Sequence, residues 1–470
     1  MEIESSGLRM DGLHKIFQFE VYGLPLILIS MKAFKIVLSA LCTLLFTFST
    51  NAQKTLSLRE CVDLLIKNNL LYRESQLQAQ GSVAQLQQTK SLQLPQLGFN
   101  AGQNLNFGRS IDRFTNAYID QVYNTNYVGV GFQVPVFQGF QIQHQVQQGI
   151  ALRDAALKNQ EAVLNQQIIR LLQAYVQVLA TKALYAAAQE QVASSQQQVD
   201  RVEKQVAAGT VGQNTLYEIK AQLANDKFDE VTARNNEQLA KLNLFQLMNI
   251  QPDNNIVFEP IGDAAGALAL VPSAETIYDD AVKMFPEIKS GELRLSSFNS
   301  QIKSIKANNI PSLNLSGNFG AFYASSNDER SYFRQLDATR NGSISLGLNV
   351  PIMGRWQIRP RVAVATAQQQ LAENNLNIVK QQLRQAIEQG VQQLAATADR
   401  YAAAQSQVES LRANFSAAES RLAAGTVNIF EYTLAKANLA RAEANSIRSR
   451  YEYALQRQII DFYQKGKWEF

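Results

Sequence analysis

Histidine and cysteine are nearly missing from this chain, with two of each among 470 residues. Cys42 falls in an apolar leader and leaves Cys61 alone in the mature chain, so no internal disulfide forms and a core thiol is the expected role. His14 precedes that leader and His144 stands alone near a helix start, where a surface or capping role is expected. Also missing are a Cys-x-x-Cys pair, a glycine-rich phosphate loop ending in Gly-Lys-Ser/Thr, and any credible nucleophile group. The reading is therefore of a protein that is not an enzyme, with no cofactor and no metal, and with no means of its own to hydrolyse ATP. Surplus charge is scarce too: charged residues are 18% of the chain and the net charge is +4, which argues against nucleic acid as a partner. Beyond the leader no apolar run reaches the ~20 residues of a membrane helix, so any membrane role must come from β-structure or a surface contact.

Met31, Lys32 and Lys35 precede the apolar run 36–48, and Thr50 and Ala52 occupy the small-residue positions of a cleavage site. Residues 31–52 thus read as a secretory signal, with a mature protein beginning at Gln53. Residues 1–30 lie upstream of the second Met and read as a mis-set start or an extension. Leu41 is too large for the usual lipoprotein cleavage box, which argues against lipidation at Cys42.

What is present is a repeat. The string AAGTV stands at 207–211 and again at 423–427, and 423 − 207 = 216. The same shift carries Pro95 to Pro311, Val134 and Pro135 to Val350 and Pro351, Tyr185 to Tyr401 and Lys220 to Lys436. One register holds from Ser57 and Ser273 onward, so the chain reads as two copies of one unit, 53–250 and 273–470, joined by a linker at 251–272. A period of this size is a duplication of a domain-scale unit rather than a solenoid.

Within each copy the hydrophobic period changes. Leu97, Phe99, Ala101 and Leu105 alternate with Gly98, Asn100, Gly102 and Asn104; after a polar loop at 109–124, Val128, Val130, Phe132 and Val134 alternate with Gly129, Gly131 and Gln133. Copy two repeats this with Leu313, Leu315 and Phe319 against Asn314, Ser316 and Asn318, then with Ile344, Leu346 and Leu348 against Ser343, Ser345 and Gly347. Each run matches the 9–11 residues of a tilted membrane strand. The second face is polar yet uncharged, which suits a water-filled lumen lined by Asn100, Asn104, Asn314 and Asn318. Four strands cannot close a barrel, and lipid does not tolerate an open edge, so several chains must share one.

The strands end near Pro135 and Pro351, and long helices are expected over 141–208 and 357–424. Ile387, Val391, Leu394, Ala398, Tyr401, Val408, Leu411, Phe415 and Leu422 recur at spacings of three, four or seven, and copy one answers with Val192, Val199, Val202 and Val206. That is a coiled-coil-like seam. Gly209 and Gly425 fit the left-handed residue that closes a helix, so the two AAGTV strings mark hairpin tips, followed by helices returning to about Asn249 and Gln464.

In this order, with the LPQL and IPSL strand starts, the VPVF and VPIM strand ends and the two AAGTV tips, the whole mature chain resembles the TolC-type outer membrane efflux protein family. The resemblance implies a mostly α protein with membrane β-structure. Two structural repeats, each a long helical hairpin plus a β-hairpin, would form a homotrimer with a twelve-stranded β-barrel in outer membrane lipid and an α-helical periplasmic tunnel. It implies a periplasmic adaptor protein docked at the tips, at Gly209, Thr210, Val211, Gly425, Thr426 and Val427, and an inner membrane pump as the source of substrate and energy. It places Glu431 at the periplasmic aperture, with Leu434 where a second acid would stand; Val427 and Thr215 occupy the places of the family's latch, so a latch must use other residues. Glu431 also lies three residues after Asn428, where it supports a helix N-terminus. Two readings of function stand: a passive exit duct, and a structural coiled-coil spacer or adhesin-like stalk of the envelope. The uncharged polar strand face favours the duct, since a spacer needs no lumen.

Overall fold

The computed structural model describes residues 55–468 apart from 113–115, 254, 262–272 and 328–329. The expected leader, residues 1–30 and much of the expected linker lie outside the described residues.

A two-residue strand β1 (Thr55–Leu56) opens the described chain, and Ser57 starts α1 (Leu58–Asn68) through a capping box: its hydroxyl accepts from the Glu60 amide at 3.3 Å while its own amide donates to the Glu60 carboxylate at 2.8 Å. Asn69 then turns the chain and caps α2 (Leu70–Ser91), accepting from the Tyr72 amide at 2.9 Å. β2 (Gln96–Asn106) leads to a small hairpin of β3 (Arg109–Ile111) and β4 (Tyr118–Asp120), and β5 (Tyr123–Gln138) returns. The helical hairpin of α3 (Gln141–Ala207) and α4 (Gln213–Met248) follows, and then β6 (Val257–Phe258), which pairs parallel with β1.

The second half runs in the same order: α5 (Ala274–Met284), α6 (Pro286–Ala307), β7 (Ser312–Ala324), α7 (Tyr332–Ala338), β8 (Asn341–Asn349), α8 (Arg355–Ala423) and α9 (Ile429–Lys465). Where Asn69 caps α2, the second half uses Pro286 at the first position of α6, where its missing N–H costs nothing. At 1.5 Å per residue, α3 and α8 are each about 100 Å long. α3 packs along α2, α4 and α6, and α8 along α6 and α9.

Two expectations need correction. The segment 109–124, expected as a polar loop, contains the β3–β4 hairpin, and the corresponding segment of the second half contains α7. Pro135 does not end β5: the strand continues to Gln138 across a register shift between Pro135 and Phe137, a bulge that accommodates a residue with no N–H to donate. Pro360 lies inside α8, within the long helix expected over 357–424. Its place in the second turn, after an exposed Trp356, confines the lost hydrogen bond to the helix end.

The largest core gathers Leu65, Leu171, Val178, Leu244, Phe245, Met248 and Phe258 around α1, α3, α4 and the β1–β6 pair. Each such side chain contributes about 1.5–3 kcal/mol by leaving water. Tyr175 ties this core to the short strands, its hydroxyl 2.7 Å from the Glu259 carbonyl and 3.1 Å from that of Leu56. A second core holds Ile277, Ile288, Leu383, Ile387, Leu394 and Ile460, and Gly390 allows the approach of Ile460 to α8: a Cβ there would lie 2.8 Å from the Ile460 Cδ1. Toward the tips the seam is thinner, with Val199, Val202, Leu216, Ile219 and Leu223 packed together.

Candidate functional site

The four long strands form one antiparallel sheet in the order β2-β5-β7-β8. Its register places Phe99, Val130 and Phe319 in one cross-strand row, Leu97, Phe132, Gly317 and Ile344 in the next, and Val134, Leu315 and Leu346 in a third. All point to one face, because side chains alternate with a period of two. That face is open: Leu97 is 75% exposed and Ile344 78%. The opposite face carries Asn100, Gly129, Gly320 and Asn341 in one row and Gly98, Gly131, Asn318 and Ser343 in another. Asn104 and Asn314 share it, so the four asparagines expected to line a lumen lie on one side of the sheet. Ser343 donates to the Asn318 side chain there. The edges of this sheet, β2 and β8, each have a neighbour on one side alone.

At the other end of the helices, both AAGTV strings close a helix in the same way. Gly209 has φ +74° and Gly425 φ +69°. The Gly209 amide donates to the Val206 carbonyl at 2.9 Å and the Thr210 amide to that of Gln205 at 3.0 Å; Gly425 and Thr426 do the same toward Leu422 and Arg421 at 3.0 and 2.9 Å. This is the Schellman pattern. The threonine hydroxyls add a second bond to the same acceptors, at 2.9 Å in the first tip and 3.0 Å in the second. Conservation of the string between the two copies thus has a local cause: glycine supplies the positive φ and threonine satisfies an end carbonyl. Val211 and Val427 follow, half-buried.

Glu431 sits in the first turn of α9. Its amide is capped by the Asn428 side chain at 3.0 Å, and its carboxylate pairs with Arg421 of α8 at 2.8 Å. The helix-supporting role is therefore present, and the carboxylate remains about half exposed. Leu434, at the place of a second acid, is exposed.

The decisive comparison is with known families: the sequence profile described as "Outer membrane efflux protein" matches residues 61–249 and again 277–462. The chain belongs to the outer membrane efflux protein family. Solved structures agree in fold. CusC is 17% identical over 86% of this chain and 91% of its own, with a TM-score of 0.74. The Campylobacter jejuni CmeC outer membrane channel is 19% identical over 87% of this chain and 85% of its own, with a TM-score of 0.72. The open-state MtrE outer membrane channel of Neisseria gonorrhoeae is 17% identical over 87% and 88%, with a TM-score of 0.70. No curated protein sequence matches closely enough to add to these. The outer membrane efflux family and these neighbours are channels rather than enzymes.

In this outer membrane efflux protein a further cluster lies above the tips and was not foreseen. Lys436 of α9 reaches across to α3 and α4, where its ammonium donates to the Ser195 hydroxyl and to the Gln191 carbonyl (3.3 Å) and lies 3.4 Å from the Asp226 carboxylate. Ser195 also donates to Asp226, and Gln222 donates to the other Asp226 oxygen at 2.7 Å. Lys436, Ser195 and Asp226 are buried, and Gln191 and Gln222 are half-buried. Burial pushes the Lys436 ammonium below the usual lysine range, and Asp226 opposes that shift. The sequence held one signal for this site: the repeat places Asp226 on Ala442 and Ser195 on Leu411, a polar pair where the other copy is apolar.

Proposed function

We propose that this chain is one third of a passive exit duct in the bacterial outer membrane. Three copies complete a twelve-stranded barrel, with the Leu97 and Ile344 face in lipid and Asn100, Asn104, Asn314 and Asn318 toward a water-filled lumen. The helices continue the duct through the periplasm as an α-helical tunnel. At its far end the tips, Gly209 to Val211 and Gly425 to Val427, meet a periplasmic adaptor, and Glu431 lines the aperture. An inner membrane pump delivers substrate and supplies the energy.

The observation that carries this reading is the sheet itself. One face is apolar and open, the other is polar without charge, and two long edges stand free. In lipid those edges cost several kcal/mol per unpaired backbone group unless neighbouring chains pair with them. No helix among the described residues is long and apolar enough to cross a membrane, so the sheet is the part that would enter it.

The test is the mass of the mature protein extracted from outer membranes in mild detergent, with bound detergent subtracted. A trimer is expected. A monomer, or a protein released without detergent, would overturn the duct and leave an envelope spacer.

A further inference from the structure

Where the helices meet the four-stranded sheet, every charge has the same sign. α2 and α6 end just before β2 and β7, and α3 and α8 begin just after β5 and β8. Three of these junctions lie together: a Cβ at Gly139 would sit 2.7 Å from the Ala307 carbonyl, and one at Gly354 3.8 Å from the Asn309 Oδ1. Over roughly ten residues of each helix from the sheet, about 15 Å of length, the charged side chains are Lys90, Lys303, Lys306, Arg355, Arg359 and Arg361. No acid stands there. The first acids farther along are Glu74, Asp154, Glu292 and Glu373, and Asp154 is already paired with Arg153. All six cations are exposed, and none forms an ion pair among the described residues. Arg355 takes the first position of α8, where the helix dipole disfavours a cation, so support of the helix does not explain it. The repeat keeps one lysine, Lys90 on Lys306, but sets Gln143 and Gln145 where the second copy has Arg359 and Arg361. Apolar side chains stand among the arginines: Ile352 is 91% exposed and Trp356 74%, with Met353 between them also exposed.

We propose that this collar binds anionic phospholipid of the leaflet that faces the periplasm, with Arg355, Arg359 and Arg361 on the headgroups and Ile352, Met353 and Trp356 against the acyl chains. The inference rests on the reading of the sheet as the part that enters the membrane. On that reading the apolar strand face runs out at this layer, and the cations stand at headgroup level. A guanidinium fork matches two phosphate oxygens at once, and an exposed tryptophan favours the boundary between acyl chains and water. A soluble anion would use the arginines and leave the apolar side chains in water. Each cation at a lipid surface favours the anionic lipid by about fivefold, and no carboxylate on these helices lies close enough to cancel it.

The test counts the lipids that the purified mature protein carries. Protein in a nonionic detergent is equilibrated with equal amounts of phosphatidylglycerol and phosphatidylcholine, passed through a sizing column, and its bound lipids are measured by mass spectrometry. Phosphatidylglycerol should be enriched about fivefold or more, and about 0.5 M salt should remove the preference. Equal retention of the two lipids by an intact oligomer overturns the proposal and leaves the duct standing. A monomer on the same column removes the duct reading, and this proposal with it.

Two variants place the preference on the collar. Arg359→Gln with Arg361→Gln gives the second copy the residues that the first already carries at these places, so the oligomer should persist while the preference falls by about threefold or more. An undiminished preference overturns the proposal. Trp356→Ala should lower retention of both lipids alike and leave their ratio unchanged, because it removes contact with the chains rather than charge; a change in the ratio alone overturns the assigned roles. Glycerol phosphate, a phosphate head without acyl chains, should displace little phosphatidylglycerol even in large excess. Full displacement by it would make the collar a site for soluble anions and overturn the proposal.

Discussion

Arg421 in the last turn of α8 and Glu431 in the first turn of α9 join across the second hairpin tip by a 2.8 Å ion pair. Both side chains are about half exposed, so the pair contributes only ~0–1 kcal/mol to stability and less in high salt. Its larger effect is on local charge, because the guanidinium masks the carboxylate. Glu431→Gln should shift Tm by no more than about 3 °C, since Asn428 still caps the amide of residue 431. It should reduce the cation preference of the duct, read as a reversal potential across a planar bilayer. Arg421→Ala should increase that preference by unmasking Glu431. Identical selectivity in the three proteins would place Glu431 off the conducting path.

Gly209 and Gly425 should tolerate alanine in space but not in backbone. No atom lies within 4 Å of a Cβ built at either residue, whereas a left-handed alanine costs roughly 1–2 kcal/mol. The loss should stay local. Amide hydrogen exchange at Thr210 or Thr426 should accelerate by roughly five- to thirtyfold while global Tm barely moves. Thr210→Val keeps the amide bond and loses only the hydroxyl contact to Gln205, so it should have the smaller effect. A matching drop in global Tm would mean that the tips are part of the cooperative core.

These tips were legible in the sequence because their chemistry is local: a glycine with positive φ and a threonine three residues beyond the last helical residue carry the whole motif. The strand faces were legible for a similar reason, since alternation survives in Leu97 to Leu105 and in Ile344 to Leu348 whatever packs around them. Interactions that depend on the third dimension were not legible. Arg421 is ten residues from Glu431 and meets it only after the chain reverses. Lys436 resembles a solvated lysine until α9 is laid against α3, and its partner Asp226 comes from the other repeat. The paired strands β1 and β6 have two residues each, too few for any period to show, and are held by the Tyr175 hydroxyl from a third element.

The glycines of the polar strand face make a prediction about assembly. Tyr127 lies over Gly129 of its own strand and Gly320 of β7: a Cβ at Gly129 would sit 2.8 Å from the Tyr127 Cζ and 3.1 Å from the Phe319 carbonyl. Aromatic cover of a strand glycine restores packing that glycine alone lacks, and any added methyl must displace the ring. Gly129→Ala should therefore lower the yield of folded oligomer in the outer membrane. Tyr127→Ser in the same protein should recover part of it, with the carbonyl contact left as the remaining obstacle. Gly131→Ala is the control, because its nearest neighbour is 3.6 Å away, and it should assemble normally. Full assembly of Gly129→Ala alone would show that the ring is free to move.

Cys61 offers a test of the largest core. It is fully buried among α1, α3 and α4, and burial, helped by Glu60, pushes its thiol from 9.0 up to about 12. A thiol so placed should resist a disulfide reagent at pH 8 in the folded protein and react at once in denaturant. The same shift fixes the sign of the alkaline response. Below the unfolded value of 9.0 both states hold the proton, and the contribution to stability is complete and constant. Between 9.0 and about 12 the unfolded chain releases the proton that the native core retains, so stability falls as pH rises, by at most about 1.4 kcal/mol per pH unit for this group. Burial raises Tyr175 in the same core, which steepens the fall at higher pH. Urea unfolding followed by helical circular dichroism from pH 8 to 11 should therefore give a declining midpoint, and Cys61→Ala should flatten the first part of that decline while leaving the part due to Tyr175. Rapid labelling of the folded protein at pH 8 would mean instead that α1 detaches from the core far more readily than its packing implies.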